Sequence, residues 1–135
     1  MELDDEGVKL YTRVSERSPV RQFKAVTVLK APLEAIVALL NDHGRFPRWM
    51  DNVKKSMELR EISSFESLSY MVLKTPWPEP DRDNIIYSKW SQDPDTLVVT
   101  QSLMSEPRHL NKKRDRVRTE FFHAEWTLTP LDSDL

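Results

Sequence analysis

The chain of 135 residues contains no cysteine. Disulfides, thiol nucleophiles and Cys-ligated zinc are therefore excluded, although an oxidising compartment is not. Glycine occurs twice, at Gly7 and Gly44, too sparsely for the Gly-rich cradles that bind phosphates in P-loop and dinucleotide folds. No apolar run approaches the roughly 20 residues of a membrane-spanning helix. The opening MELDDEG lacks the basic and apolar regions of a secretory signal. The expected compartment is the cytoplasm, or the periplasm if a signal peptide has been removed. A formal net charge of −2 and a pI near 5.9 argue against a nucleic-acid partner, since such binders usually carry a basic excess. The enzymatic spacings H-E-x-x-H and G-x-S-x-G are missing, as are paired histidines at metal-ligand spacing. Neither a metal nor another cofactor is expected.

What is present fits one soluble globular domain spanning residues 1–135, with 39% apolar and 31% charged residues. GVKLYTRV (7–14) and RQFKAVTVL (21–29) alternate and read as strands around the turn SERSPV. In APLEAIVALLNDHG, Leu33, Ile36, Val37 and Leu40 fall on one helical stripe. Pro32 suits the first turn of that helix and Gly44 the position just past its end. RFPRWMDNV places Phe46, Trp49, Met50 and Val53 at helical spacing and predicts a short second helix or turn. From Lys54 the period becomes two. Strands are expected around Met57 and Leu59, around Leu68, Tyr70 and Val72, over 84–90, over 97–104, and from Val117 to Leu128. Sequential strands joined by short turns predict an antiparallel sheet with helices on one side, an α+β domain.

The histidines His43, His109 and His123 stand in three separate segments and read as solvated side chains, His43 complementing a helix C-terminus. Trp49, Trp77, Trp90 and Trp126 each sit in or beside an element. With Met57, Met71 and Met104 they either pack a core or line an apolar pocket. RHLNKKRDRVR, with Arg108, Lys112, Lys113, Arg114, Arg116 and Arg118, is either a solvated loop or a patch for anionic lipid head groups, diluted by Glu106 and Asp115. In TPWPEPDRDN, Arg82 between Asp81 and Asp83 is either an exposed charge cluster or a buried Arg held by carboxylates.

APLEAIVALLNDHGRFPRWMDNV, TPWPEPDRDNIIYSKWSQDPDT and WTLTPL together resemble the bacterial branch of the START lipid-transfer domains, those related to the steroidogenic acute regulatory protein. The likeness runs from about Gly7 to the last residue. It is most specific in the P-W-P-x-x-D-R-D block and in the helix that ends before F-P-x-W-M. The resemblance implies a helix-grip fold, a curved antiparallel sheet around a long C-terminal helix, enclosing a cavity for one lipid or other hydrophobic molecule. Most members of the family carry a ligand and perform no chemistry. By position, Trp49, Trp77, Arg82, Asp83 and Trp126 match places around the cavity or its framework. Tyr70, Val72, Ile86, Ser88, Met104 and Phe122 are expected to add to the wall. Ser88 stands where sterol-binding members place a buried Arg, so a sterol is not the favoured ligand. In the proline corner, Trp77 is expected to anchor in the apolar interior, while Arg82 with Asp83 locks the entry of the next strand.

Such domains usually run to about two hundred residues, and the chain stops where a further strand and the C-terminal helix would follow. The inner sheet face would then be exposed. A truncated chain, a naturally short one, or a face covered by a second copy would each account for this. Truncation, with a homodimer or strand exchange as compensation, is the expectation. Transient membrane contact is a further expected interaction. Two other functions stay open. One is a cyclase or hydratase of the same superfamily, with Asp83, His123 or Glu125 as acid or base. The other is a protein-interaction module using the open sheet face.

Overall fold

The computed structural model describes residues 2–5, 8–15, 18–108 and 116–131. The chain divides into two compact units, Met1–Pro32 and Leu33–Leu135. The first is an antiparallel sheet of β1 (Glu2–Asp5), β2 (Val8–Ser15) and β3 (Ser18–Val26), in that spatial order. Alternating Leu10, Thr12 and Val14 favour the extended chain. The pairing Tyr11 with Lys24 brings the ammonium 5.9 Å from the ring centroid. Strand β1 was not expected: Glu2-Leu-Asp-Asp has little intrinsic strand preference, and pairing with β2 supplies its hydrogen bonds.

The second unit opens with α1 (Leu33–Asn41) and a 3₁₀ turn at His43–Arg48. Its apolar stripe is as expected: Leu40 is buried, and Leu33, Ile36 and Val37 are half-buried. Glu34 in the first turn complements the positive end of the helix dipole. Pro32 lies immediately before the helix. Gly44 falls inside the 3₁₀ turn rather than just past α1, because the chain tightens into that turn after Asn41. Phe46 is buried there and meets the rings of His43 at 5.7 Å and Trp49 at 5.8 Å, both edge-on.

The main sheet has the order β4-β5-β6-β7-β9: β4 (Val53–Glu61), β5 (Glu66–Leu73), β6 (Asp81–Gln92), β7 (Val99–Ser105) and β9 (His123–Leu128). All neighbours on that path are antiparallel. The short β8 (Arg116–Arg118) instead runs parallel to the first residues of β6. The single strand expected from Val117 to Leu128 is thus two. The segment 119–122 carries the chain from the edge of β6, where it is paired at Arg118, to the edge of β7, where it pairs again at His123. The core cluster consists of Leu68, Tyr70, Val72 and Ile85, with Met57, Leu59 and Tyr87 packed against it. Among the described residues no helix is long and apolar enough to cross a membrane.

Candidate functional site

Strand register divides the main sheet into two chemically different faces. Residues directly opposite one another share a face, and successive residues alternate. Tyr70 lies opposite Ile85, Val72 opposite Asp83, and Tyr87 opposite Met104. These share the face of the apolar core cluster. Ser69 lies opposite Ile86, Ser67 opposite Ser88, Ser88 opposite Leu103, and Trp90 opposite Gln101 and thence Trp126. These form the other face. The Ser67 hydroxyl is 3.4 Å from His43 Nε2, so the 3₁₀ turn packs on this second, helix-side face.

The expected wall residues therefore do not form one wall. Ile86, Ser88 and Trp126 are on the helix-side face. Tyr70, Val72 and Met104 are on the opposite one, with Met104 47% exposed. A list that mixes Tyr70 and Val72 with Ile86 and Ser88 spans both sides, because an offset of one residue reverses every side chain. Trp49 follows the 3₁₀ turn, half-open to solvent against Phe46. Phe122 joins β8 to β9 and its N–H donates to Ser105 Oγ at 3.0 Å.

The proline corner departs furthest from expectation. Trp77 does not anchor in the interior; it is 92% exposed. The turn holds Glu79 N–H to the Pro76 carbonyl at 3.1 Å and leaves the indole outside it. Arg82 is exposed and does not lock Asp83. Adjacent strand residues point to opposite faces, so Arg82 and Asp83 cannot share a pocket.

The partner of Asp83 is Arg118, 35 residues away. Arg118 Nε donates to Asp83 Oδ1 at 2.7 Å and Nη2 to Oδ2 at 3.3 Å. Tyr70 adds a hydrogen bond to Oδ2 at 2.6 Å and accepts one from Arg116 Nη1 at 3.0 Å. Arg118 Nη1 also donates to the Pro107 carbonyl at 2.8 Å. Burial pushes the Asp83 carboxyl up, but the hydrogen bonds from Arg118 and Tyr70 and the charges of Arg118 and Arg116 outweigh it and hold the pKa below 3.8. Burial and the Asp83 contact raise the Tyr70 phenol, with Arg116 opposing. Arg118 belongs to the basic run for which a solvated loop or a lipid head-group patch was expected, and it is instead buried. The alternation of Arg116 and Arg118 about Val117 was the available signal that both point to one face. Much of that run, with His109, Lys112, Lys113 and Arg114, lies outside the described residues.

The helix-side face is buried and polar but, among the described residues, carries no buried ion pair of this kind. Ser67, Ser69, Asn84, Ser88 and Gln101 are all under one-tenth exposed, together with Ile86. His43, expected at the surface, is buried beside them. Burial lowers its pKa from 6.5, with the charges of Glu58 and Asp42 opposing. Ser56, Met71 and Asn84 form one row across β4, β5 and β6 on this face. Ser56 Oγ, Asn84 Oδ1 and His43 Nδ1 are buried and make no hydrogen bond among the described residues. Of this strip the sequence reading named Ile86 and Ser88 but missed Ser67, Ser69, Asn84 and Gln101, because serine, asparagine and glutamine in alternating positions read equally well as a solvated strand face. No cluster of metal-ligating side chains occurs among the described residues.

Against known proteins, a START domain family profile matches residues 2–132. An uncharacterised protein of Pseudomonas aeruginosa is 26% identical over 127 residues, which cover 94% of this chain and 62% of that protein. The chain thus spans less than two thirds of that curated relative. The crystal structure of a STAR-related lipid transfer protein from Xanthomonas axonopodis is 30% identical with a TM-score of 0.90, covering 99% of this chain and 75% of that one. The human StAR-related lipid transfer protein 5 shares the fold at 16% identity with a TM-score of 0.82, covering 96% of this chain and 63% of that one. These likenesses confirm the α+β helix-grip fold class. The chain belongs to the START domain family.

Proposed function

We propose that this chain is the ligand-holding part of a noncatalytic carrier for a lipid or other hydrophobic molecule. The observation that carries the reading is the likeness, over 99% of the chain, to a protein described as a STAR-related lipid transfer protein. The helix-side face is the expected contact surface, with Ile86, Ser88 and Trp126 among its residues. Its buried polar groups are neutral, and an unpaired buried polar atom costs about 1–3 kcal/mol. A ligand hydroxyl that donated to Asn84 Oδ1, or a ligand hydroxyl or carbonyl that accepted from Ser56 Oγ, would offset part of that cost.

The cyclase or hydratase reading has weaker support. A general acid or base needs a pKa near working pH and access to substrate. Asp83 is held low and is engaged by Arg118 and Tyr70. His123 and Glu125 are exposed on the last strand of the sheet. Uptake of a fluorescent fatty-acyl lipid presented on cyclodextrin tests the proposal. Saturable uptake that an Ile86→Asp substitution abolishes is the expected result. No uptake, with no lipid co-purifying by mass spectrometry, would overturn it.

A further inference from the structure

The row of Ser56, Met71 and Asn84 crosses β4, β5 and β6 on the helix-side face. Its two ends share a defect. Ser56 Oγ and Asn84 Oδ1 are withdrawn from water, and neither has a hydrogen-bond partner among the described residues. Asn84 is 2% exposed, so bulk water does not supply the missing bond. Buried polar atoms left in this state are costly, and native folds keep few of them. Two in one row mark a place where an incoming group completes the bonding.

The atoms state what that group must carry. Asn84 Oδ1 only accepts, so it needs a donor, and a hydroxyl is the donor an uncharged lipid offers. Ser56 Oγ can donate to an ester carbonyl or to a second hydroxyl. The two residues stand two strands apart, roughly 10 Å between their backbones, and their side chains project from the same face. Two hydrogen bonds of about 2.8 Å each leave roughly 4–5 Å for the ligand to bridge. A free hydroxyl and an ester carbonyl on one glycerol unit have that reach. Met71 is half-buried between them, and its unbranched side chain can turn aside for such a head group.

Charge decides against ionised lipids. The buried carboxylate and guanidinium, Asp83 and Arg118, neutralise each other on the opposite face. Arg82 lies on the helix-side face two residues before Asn84, but it is exposed to water. A carboxylate or phosphate drawn in over Asn84 would lose its hydration, meet an acceptor oxygen and gain no buried cation.

We propose, resting on the carrier reading above, that the ligand is a neutral glycerol-ester lipid of the monoacylglycerol type. Its free hydroxyl donates to Asn84 Oδ1, and its ester carbonyl accepts from Ser56 Oγ. The test is displacement of the fluorescent fatty-acyl lipid from the full chain by competitors sharing one oleoyl chain: monooleoylglycerol, methyl oleate, oleate and oleoyl lysophosphatidylcholine. Monooleoylglycerol should displace the probe at about tenfold lower concentration than any of the others. Methyl oleate keeps the ester but lacks the hydroxyl, so Asn84→Leu should close the gap between these two. Ser56→Ala should weaken both by about two- to tenfold and leave the gap open. A general loss of fold would not separate the variants in this way, and the wild-type series decides if Asn84→Leu does not fold. Equal displacement by monooleoylglycerol and methyl oleate overturns the proposal and leaves the carrier reading standing. So does a preference for oleate or lysophosphatidylcholine, which would put Arg82 rather than Asn84 at the head group. No uptake of the fluorescent lipid, with no monooleoylglycerol retained in equilibrium dialysis, overturns both.

Discussion

Asp83 and Arg118 form a two-point ion pair, 2.7 Å at the shorter contact, with both side chains withdrawn from water. The pair joins the first residues of β6 to β8, and through Pro107 to the segment leaving β7. Breaking it from one side leaves a buried charge without compensation. Arg118→Ala should therefore destabilise the fold by about 3–5 kcal/mol. Arg82→Ala, next to the same aspartate but exposed, should stay within about 0.5 kcal/mol. Chemical denaturation of both variants separates the two, and a similar loss for each would refute the assignment.

A second consequence concerns acid stability. The Asp83 carboxyl is held below its ordinary 3.8, so the folded state binds its proton less readily than the unfolded chain. Its stabilisation is complete above about pH 4–5, and is lost as pH falls through 3.8 towards the lower folded value. Asp83→Asn should be less stable than wild type at neutral pH and should show a shallower decline over that acid range. Parallel acid titrations followed by circular dichroism would reveal it.

His43 should add a separate, milder dependence. Burial depresses its pKa below 6.5. Below pH 6.5 the unfolded chain takes up a proton that the folded chain resists, so stability falls until pH reaches the folded pKa. A His43→Gln variant should lack this component as pH falls below 6.5, which melting temperatures measured on the acid side of that value would show. An unchanged slope would mean that the ring is not buried as described.

Ile85 is fully buried in the centre of the apolar cluster. Ile85→Ala should cost about 2–5 kcal/mol through lost transfer energy and a residual cavity. Its neighbour Ile86 faces the helix side, and a volume-preserving Ile86→Leu exchange should cost less than about 1.5 kcal/mol.

Leu97 adopts a φ of 63°, the left-handed region, in the turn between β6 and β7. That conformation costs a side-chain-bearing residue about 1–2 kcal/mol, and the leucine is half-exposed. Leu97→Gly should leave stability unchanged or raise it by up to about 1 kcal/mol. A clear loss in thermal melting would contradict the strained turn.

Local pattern determined most of the elements. The stripe Leu33, Ile36, Val37 and Leu40 can bury one face only as a helix, and the alternation through Leu68, Tyr70 and Val72 only as a strand. The order of these segments, with their short connections, implied an antiparallel α+β domain. The P-W-P-x-x-D-R-D block and its companions pointed to the family. Which residues meet was decided by the tertiary structure. Register sets Tyr70 and Val72 on one face and Ile86 and Ser88 on the other, and a one-residue shift that no local pattern resolves would exchange them. Arg118 rather than Arg82 reaches Asp83 because β8 lies parallel to β6, a pairing between segments 35 residues apart in the chain. The same holds for Trp77: composition marks tryptophan as a side chain to bury, but the turn that fastens the proline corner leaves it in solvent.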